Sequence, residues 1–298
     1  TAAAPAIGPT FGGIMTQYFT WRYIFICVLP VIVLASFIGY FCMSEQIINK
    51  HEKFDLLSFI AVALAFVSLI MGFSNLNQIV DDLVFVLGCF IIGIISLYYF
   101  TKRQLHIKNS LIRIEIFNHK GFTFHTLAIM FLQMTTLGYG LLLPTFVQIV
   151  LKQPATDAGV VLLPGAIVGA VFAPIGGLIL DRLGAKKPIV LGLCCSFIAT
   201  FCFLFFFKNL TYQSCILFYF IYSLGIGLIV GNTMTSAMSH LPKNLQADGN
   251  ATLQTLMQLS GGIGTSITAA ILAFVQQGIN LYDGTNRGAL FVLIFFNV

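Results

Sequence analysis

Charged side chains punctuate the sequence and leave long uncharged, apolar runs between them. The complete runs are Tyr23–Met43, Leu56–Asn75, Leu83–Phe100, Phe122–Val150, Ala158–Leu180, Ile189–Phe207, Ser214–Met238 and Gly249–Gln277. Each approaches or exceeds the ~20 residues that a helix needs to cross a bilayer. A partial run stands at each end, Thr1–Thr20 and Ala289–Val298. The runs are continuously apolar rather than alternating in segments of about ten, so they predict helices and not barrel strands. Eight complete spans and two partial ones are therefore expected.

Sequential crossings fix the side of every loop once one is assigned. With the loop at Lys50 inside, Lys50, Lys53, Lys102, Arg103, Lys108, Arg113, Lys120, Arg182, Lys186, Lys187 and Lys243 are inside, and only Arg22, Lys152, Lys208 and Arg287 are outside. Eleven against four is the bias that retains basic loops in the cytoplasm. The longest polar stretch, Lys102–Lys120, then lies inside as a linker between two groups of helices, with an interfacial segment expected over Ile107–Phe117.

Composition adds an exclusion. Of 298 residues, 58% are hydrophobic and 8% charged, against roughly 25% charged in soluble domains. Too little polar surface remains to solvate a globule, which rules out a soluble enzyme, a nucleic-acid-binding domain and a disordered chain. The net charge of +5 follows from the basic loops and needs no nucleic-acid partner. Cys27, Cys42, Cys89, Cys194, Cys195, Cys202 and Cys215 all lie in apolar runs without a CxxC pair, so they read as small inert helix residues. Paired carboxylates, His-rich metal spacing and a nucleophile elbow are not seen within the spans, so neither an enzyme nor a metal site is expected.

Two motifs carry chemistry. The first, Gly8-Pro9-Thr10-Phe11-Gly12-Gly13, precedes Trp21-Arg22. Its glycines permit close helix approach, and Pro9 removes a backbone donor. The second, Gly177-Leu178-Ile179-Leu180-Asp181-Arg182-Leu183-Gly184-Ala185-Lys186-Lys187, sits in a short cytoplasmic loop. There Gly177 suits helix approach, Gly184 a tight turn, and Asp181 a basic partner or a helix N-terminus. Arg182, Lys186 and Lys187 serve as topology anchors or as a charged latch.

The first motif resembles the Gly-Pro-x-x-Gly-Gly of antiporters of the major facilitator superfamily, with Ala4 where a further glycine is usual. The second resembles that superfamily's Gly-x-Leu-Ala-Asp-Arg-x-Gly-Arg-Lys loop, with Ala185 in place of arginine. Two spans beyond the twelve-helix plan, Leu56–Asn75 and Leu83–Phe100, fall where the fourteen-helix drug:proton antiporters carry an additional pair. Phe54-Asp55, Asn118-His119-Lys120-Gly121-Phe122, Gly225-x-Gly227 and Gly249-Asn250-Ala251 add to a resemblance that covers essentially the whole chain.

The resemblance implies an all-α integral membrane fold holding about ten of fourteen helices, the first four missing and the last cut short. Residues 1–43 would be the last two helices of an N-terminal bundle, 44–101 the additional pair, 102–120 the linker and 121–298 the C-terminal bundle. It implies a multi-pass plasma-membrane exporter of amphipathic drugs or dyes, such as underlies antibiotic resistance, using no cofactor and driven by proton antiport with alternating access. A carrier of one physiological solute and a non-transporting remnant are the alternatives.

By the same resemblance Phe122–Val150 and Ser214–Met238 line a central cavity. On the first, Gln133, Thr136 and Gly140 share a helical face with His125 and Ile129 nearby; on the second, Asn232, Ser236 and Ser239 do so. Tyr139 offers an aromatic face or fills space. Gln254 and Gln258 stand one turn apart ahead of Gly261-Gly262-x-Gly264, glycines expected to pack between the two halves. Amides among apolar walls suit amphipathic ligands, and equally suit helix-to-helix hydrogen bonds. No Asp, Glu, Lys or Arg occupies the middle of a complete span. His125, near a cytoplasmic end, reads as structural, so the coupling acid is expected in the N-terminal half.

Overall fold

The computed structural model describes residues 4–42, 55–79, 82–107, 112–277 and 279–297. Phe54 and the topology markers Lys50, Lys53 and Lys108 lie outside the described residues. Eleven α-helices follow one another: α1 (Ala4–Tyr18), α2 (Arg22–Cys42), α3 (Leu56–Ser74), α4 (Leu83–His106), α5 (Lys120–Ile149), α6 (Ala155–Val160), α7 (Leu163–Leu183), α8 (Lys186–Phe205), α9 (Tyr212–Ser239), α10 (Gln246–Gln276) and α11 (Leu281–Asn297). No strand occurs among the described residues. Eight helical segments are long and apolar enough to cross a membrane, and they coincide with the eight apolar runs. The chain is a multi-pass membrane protein.

Local chemistry explains where the helices start and break. Asp55 and Asp82 cap α3 and α4 by accepting from the backbone N–H of Ser58 and Phe85. Thr211 and Ser214 cap α9 reciprocally. The run that starts at Ala158 is not one helix: α6 ends at Val160 and α7 starts at Leu163. Pro164, in the first turn of α7, has no N–H to donate back into α6. The linker is partly helical. Helix α4 runs on to His106, and Ile114–Asn118 form a 3-10 turn whose Ile116 is fully buried while Glu115 and Asn118 are exposed, a two-sided pattern.

Helix α9 runs between α7 and α8, and α5 lies along α10. These contacts are made by small residues: Gly227 of α9 meets the Gly169 backbone of α7, and Gly225 meets Gly192 and Ser196 of α8. Gly264 of α10 lies against the Met134 backbone of α5, Gly261 against Leu137 of α5, and Gly262 against Ile70 of α3. The glycine stretch thus packs inside the C-terminal bundle and against the additional pair α3–α4, not across the two halves. Tyr139, Phe146, Phe203, Tyr222 and Leu293 belong to one apolar core, and Ile116, Phe122, Ile129, Ala237 and Leu253 form another.

The polar links sort by membrane side. Asp55–Arg103 (3.0 Å) and Arg113–Asp248 (3.2 Å) join the start of α3, the end of α4, the linker and the start of α10 at one end. Gln277 donates to the Asn77 carbonyl, and Gln17 meets Thr156, at the other. This is the alternation that sequential crossings require.

Candidate functional site

The antiporter-type motif lies on α1, which packs against α6 and α7 near the outer end. Gly13 is the point of closest approach: a Cβ there would stand 2.5 Å from the Ala155 carbonyl oxygen and 3.3 Å from the Gly159 Cα. Thr10 donates to the Gly159 carbonyl at 3.2 Å, and the Gln17 side-chain oxygen accepts from the Thr156 N–H at 2.8 Å and from its hydroxyl. Gly8 and Gly12 meet nothing within 4 Å. Pro9 belongs to α1, with its side chain outside the described set.

In the cytoplasmic loop Gly184 has φ +80° and closes α7 by donating its N–H to Leu180, the turn the sequence asks for. Asp181, Arg182, Lys186 and Lys187 are exposed and form no ion pair among the described residues. The close-approach glycine is Gly176, whose added Cβ would lie 2.8 Å from the Asn232 amide nitrogen and 3.4 Å from the Leu228 Cα. Gly177 faces open space.

Several predicted cavity residues are used for packing. Asn232 is buried and donates to the Leu228 carbonyl at 2.6 Å, seated over Gly176. The hydroxyls of Thr136 and of Thr135, which the pattern does not single out, both lie 3.0 Å from the Tyr222 hydroxyl and both donate to the Leu132 carbonyl. Tyr139 is 1% exposed, between Phe203, Tyr222 and Phe296, and fills space. Ser236 meets His125 Nε2 at 3.0 Å, and Ser239 donates to the Ser236 carbonyl.

The glutamines behave differently. Gln133 is half-buried on α5, its Cγ 3.5 Å from where a Gly261 Cβ would stand. Gln258, one turn from Gly261 on α10, is exposed, as is Gln254 a further turn away. Gln133 and Gln258 make no hydrogen bond within the described residues, and Gln254 reaches only the Met234 sulfur at 3.9 Å. Gly231 and Thr235 of α9 are exposed as well, with Met234 of the same helix at half exposure. Two helices thus carry two amides without a hydrogen bond among the described residues and a third that meets only a thioether, beside apolar walls.

An apolar cleft lies elsewhere. It measures about 750 Å³, is almost wholly apolar, and is bounded by Ile267, Phe274, Phe291, Phe295 and the 3-10 turn at Leu76. It has no convergent polar groups to orient a ligand. Asp55 shows the one large electrostatic perturbation outside the spans: the Arg103 guanidinium and Ser58 hold its carboxyl well below the usual carboxylate range. No group of three or more metal-ligating side chains converges among the described residues.

Comparison with known proteins places this arrangement. The family described as Major Facilitator Superfamily matches residues 1–265. The lincomycin resistance protein LmrB of Bacillus subtilis is 32% identical over 280 residues, 92% of this chain and 58% of that protein. Its namesake in Listeria monocytogenes is 30% identical over 274 residues, again 92% and 58%. A putative multidrug resistance protein, MdtD, of Klebsiella pneumoniae is 23% identical over 302 residues, 99% of this chain and 62% of that protein. The chain spans about three-fifths of the length of these relatives.

Proposed function

The chain belongs to the Major Facilitator Superfamily, and from that premise we propose that it is part of a plasma-membrane exporter of amphipathic drugs, driven by proton antiport with alternating access. The observation that carries this reading is the set of amides at Gln133, Gln254 and Gln258, two without a hydrogen bond among the described residues and one meeting only a thioether. An amide inside a membrane protein is costly to leave unpaired, so a face that keeps them this way is suited to an exchangeable partner. Apolar walls and Met234 supply affinity that does not depend on one ligand's shape, while the amides orient it. Relatives named for lincomycin and multidrug resistance support the same class of cargo. Alternating access would move this face from one membrane side to the other as two bundles rock about it. The α1–α6 contact at Gly13 is then a place where the halves meet at the outer side.

The test is export by the whole protein in a bacterium stripped of its own efflux pumps. Ethidium and lincomycin accumulation should fall on expression, and a protonophore should restore it. Replacing both Gln254 and Gln258 with Ala should slow export about fivefold to thirtyfold, one to two lost hydrogen bonds at ~1 kcal/mol each, with the amount of folded protein unchanged. Accumulation untouched by expression would overturn the reading. Export of a single physiological solute, with neither compound moved, would replace it with a specific carrier.

A further inference from the structure

The apolar cleft suits a ligand other than a drug. It lies between α10, α11 and the 3-10 turn Leu76–Gln78, at the end where Gln277 meets Asn77. That end is outside in the orientation that the basic loops predict. Along α10 the cleft runs from Val275 to Ile267, about 12 Å at 1.5 Å per residue, close to the ~15 Å that the hydrocarbon of one leaflet fills. Phe274, Phe291 and Phe295 remain 54%, 54% and 47% exposed, so the cleft opens sideways onto the bilayer.

The lining separates a lipid from another helix as its occupant. Where helices of this protein pack on one another, glycines let the backbones close in, as at Gly225, Gly227 and Gly264. The cleft presents bulky Ile267, Ile271 and Ile294 with its three phenylalanines, and Ala270 alone is small. A flexible acyl chain can fill such a wall, whereas a helix backbone cannot approach it closely. Charge points the same way. Arg287 is exposed and makes no hydrogen bond or ion pair among the described residues. Its spacing of four, seven and eight from Phe291, Ile294 and Phe295 sets it on the stripe of α11 that walls the cleft. Gly284 packs on Gln276 and Gly288 on Leu272, so Arg287 stands between these levels, in the upper half of the cleft. Asp283, one turn earlier on the same helix, is engaged by Asn280 at 2.8 Å.

We propose that the cleft binds a phospholipid of the outer leaflet, one acyl chain lying along α10 and the phosphate held by Arg287. The arginine stem lies along apolar surface while its guanidinium reaches the headgroup level, where it pairs with phosphate through two parallel N–H donors. Asn77, the polar residue of the lining, stands at the same end as a further donor. The absence of polar groups deeper in the cleft, which leaves a drug unoriented, costs an acyl chain nothing. A lipid seated here bridges the turn of the additional pair to α10 and α11, beside the Gln277–Asn77 bond. The site stands whether or not the protein exports drugs.

The whole protein, purified in mild detergent and stripped of lipid, is titrated by native mass spectrometry with palmitoyl-oleoyl phosphatidylglycerol and with the diacylglycerol of the same two chains. The phospholipid should bind at one saturable site about tenfold more tightly, the effect of one charge-assisted pair. Arg287→Gln should erase that preference while diacylglycerol binding, unchanged, reports an intact cleft. Arg287→Lys should retain part of it, as a point charge without the planar fork. Ile294→Trp, at a side chain 41% exposed, should fill the cleft from the bilayer side and weaken both lipids alike at an unaltered Tm. Lys208→Gln, at a cation beyond α8, should change neither. Equal binding of the two lipids by the wild type would reduce the cleft to an apolar surface and overturn the proposal, as would a preference that survives Arg287→Gln. Disulfide capture of Phe295→Cys by another segment of the whole protein, or by a second copy, would show the cleft covered by protein and overturn it as well.

Discussion

Consecutive glycines on a helix are separated by about 100° of rotation, and at Gly176 and Gly177 that rotation decides which one packs. Gly176 faces α9, where Asn232 and Leu228 leave no room for a methyl group; Gly177 faces away. Gly176→Ala should therefore lower the Tm of the detergent-solubilised protein, with a penalty of about 1–3 kcal/mol from overpacking, and Gly177→Ala should leave it within error. Equal losses at both sites would contradict the α7–α9 packing. Gly184 differs again, because its φ of +80° is costly for any residue with a side chain, so Gly184→Val should destabilise by about 1–2 kcal/mol although it touches nothing. The tight turn at Gly184 was readable from the motif. The packing role was not, because a pattern names Gly177 while the partner helix, 50 residues further along, chooses Gly176. The same limit applies to Asn232 and the three glutamines: polarity in an apolar run is visible in the sequence, but whether a neighbour uses it depends on what the other helix presents.

The additional helix pair is fastened by a polar clamp at its inner end. Asp55 takes the Arg103 guanidinium with both oxygens, at 3.0 Å each, and also caps α3, while Gln104 donates to Ser58 at 2.7 Å and accepts from the Ile112 N–H at 3.2 Å. Arg103 lowers the Asp55 carboxyl well below its ordinary value near 3.9. A depressed carboxylate contributes stability that is fully present above the unfolded value and is lost as pH falls through the lower folded value. Thermal unfolding of Asp55→Asn should therefore run below the wild type by a constant margin from pH 7 to about pH 5, and the margin should narrow progressively as the pH falls below about 4. A margin that stays the same in acid would mean that the charge of Asp55 contributes no stability, since the amide can still cap the helix. The sequence marks Asp55 as a likeness to the family and Arg103 as a topology marker; their pairing, 48 residues apart, belongs to the tertiary structure. So does the break between α6 and α7, where hydropathy reads straight through and Pro164 does not.

At the scale of the molecule, the apolar runs were enough to set the number of spans among the described residues, which follows from the cost of burying backbone in a bilayer, while the basic loops predict their direction. Helix neighbours did not follow from them, because lipid-facing and bundle-facing residues are equally apolar: α2 has no buried residue and is as hydrophobic as any helix in the bundle. The orientation remains the most exposed consequence of the reading, and the chain is well suited to testing it. With the native cysteines of the whole protein replaced by serine, Cys27, Cys42 and Cys194, which are exposed here, included, introduced ones report alone. Lys187→Cys, in the first turn of α8, should react with an impermeant maleimide only after the cells are opened, and Lys208→Cys, between α8 and α9, should react in intact cells. Both side chains are exposed and a single helix, α8, separates them, so they must lie on opposite sides of the membrane. Reactivity from the same side would remove α8 from the bilayer, and the reverse pattern would invert the protein, placing the Arg113–Asp248 pair outside the cell and the Gly13 contact within it.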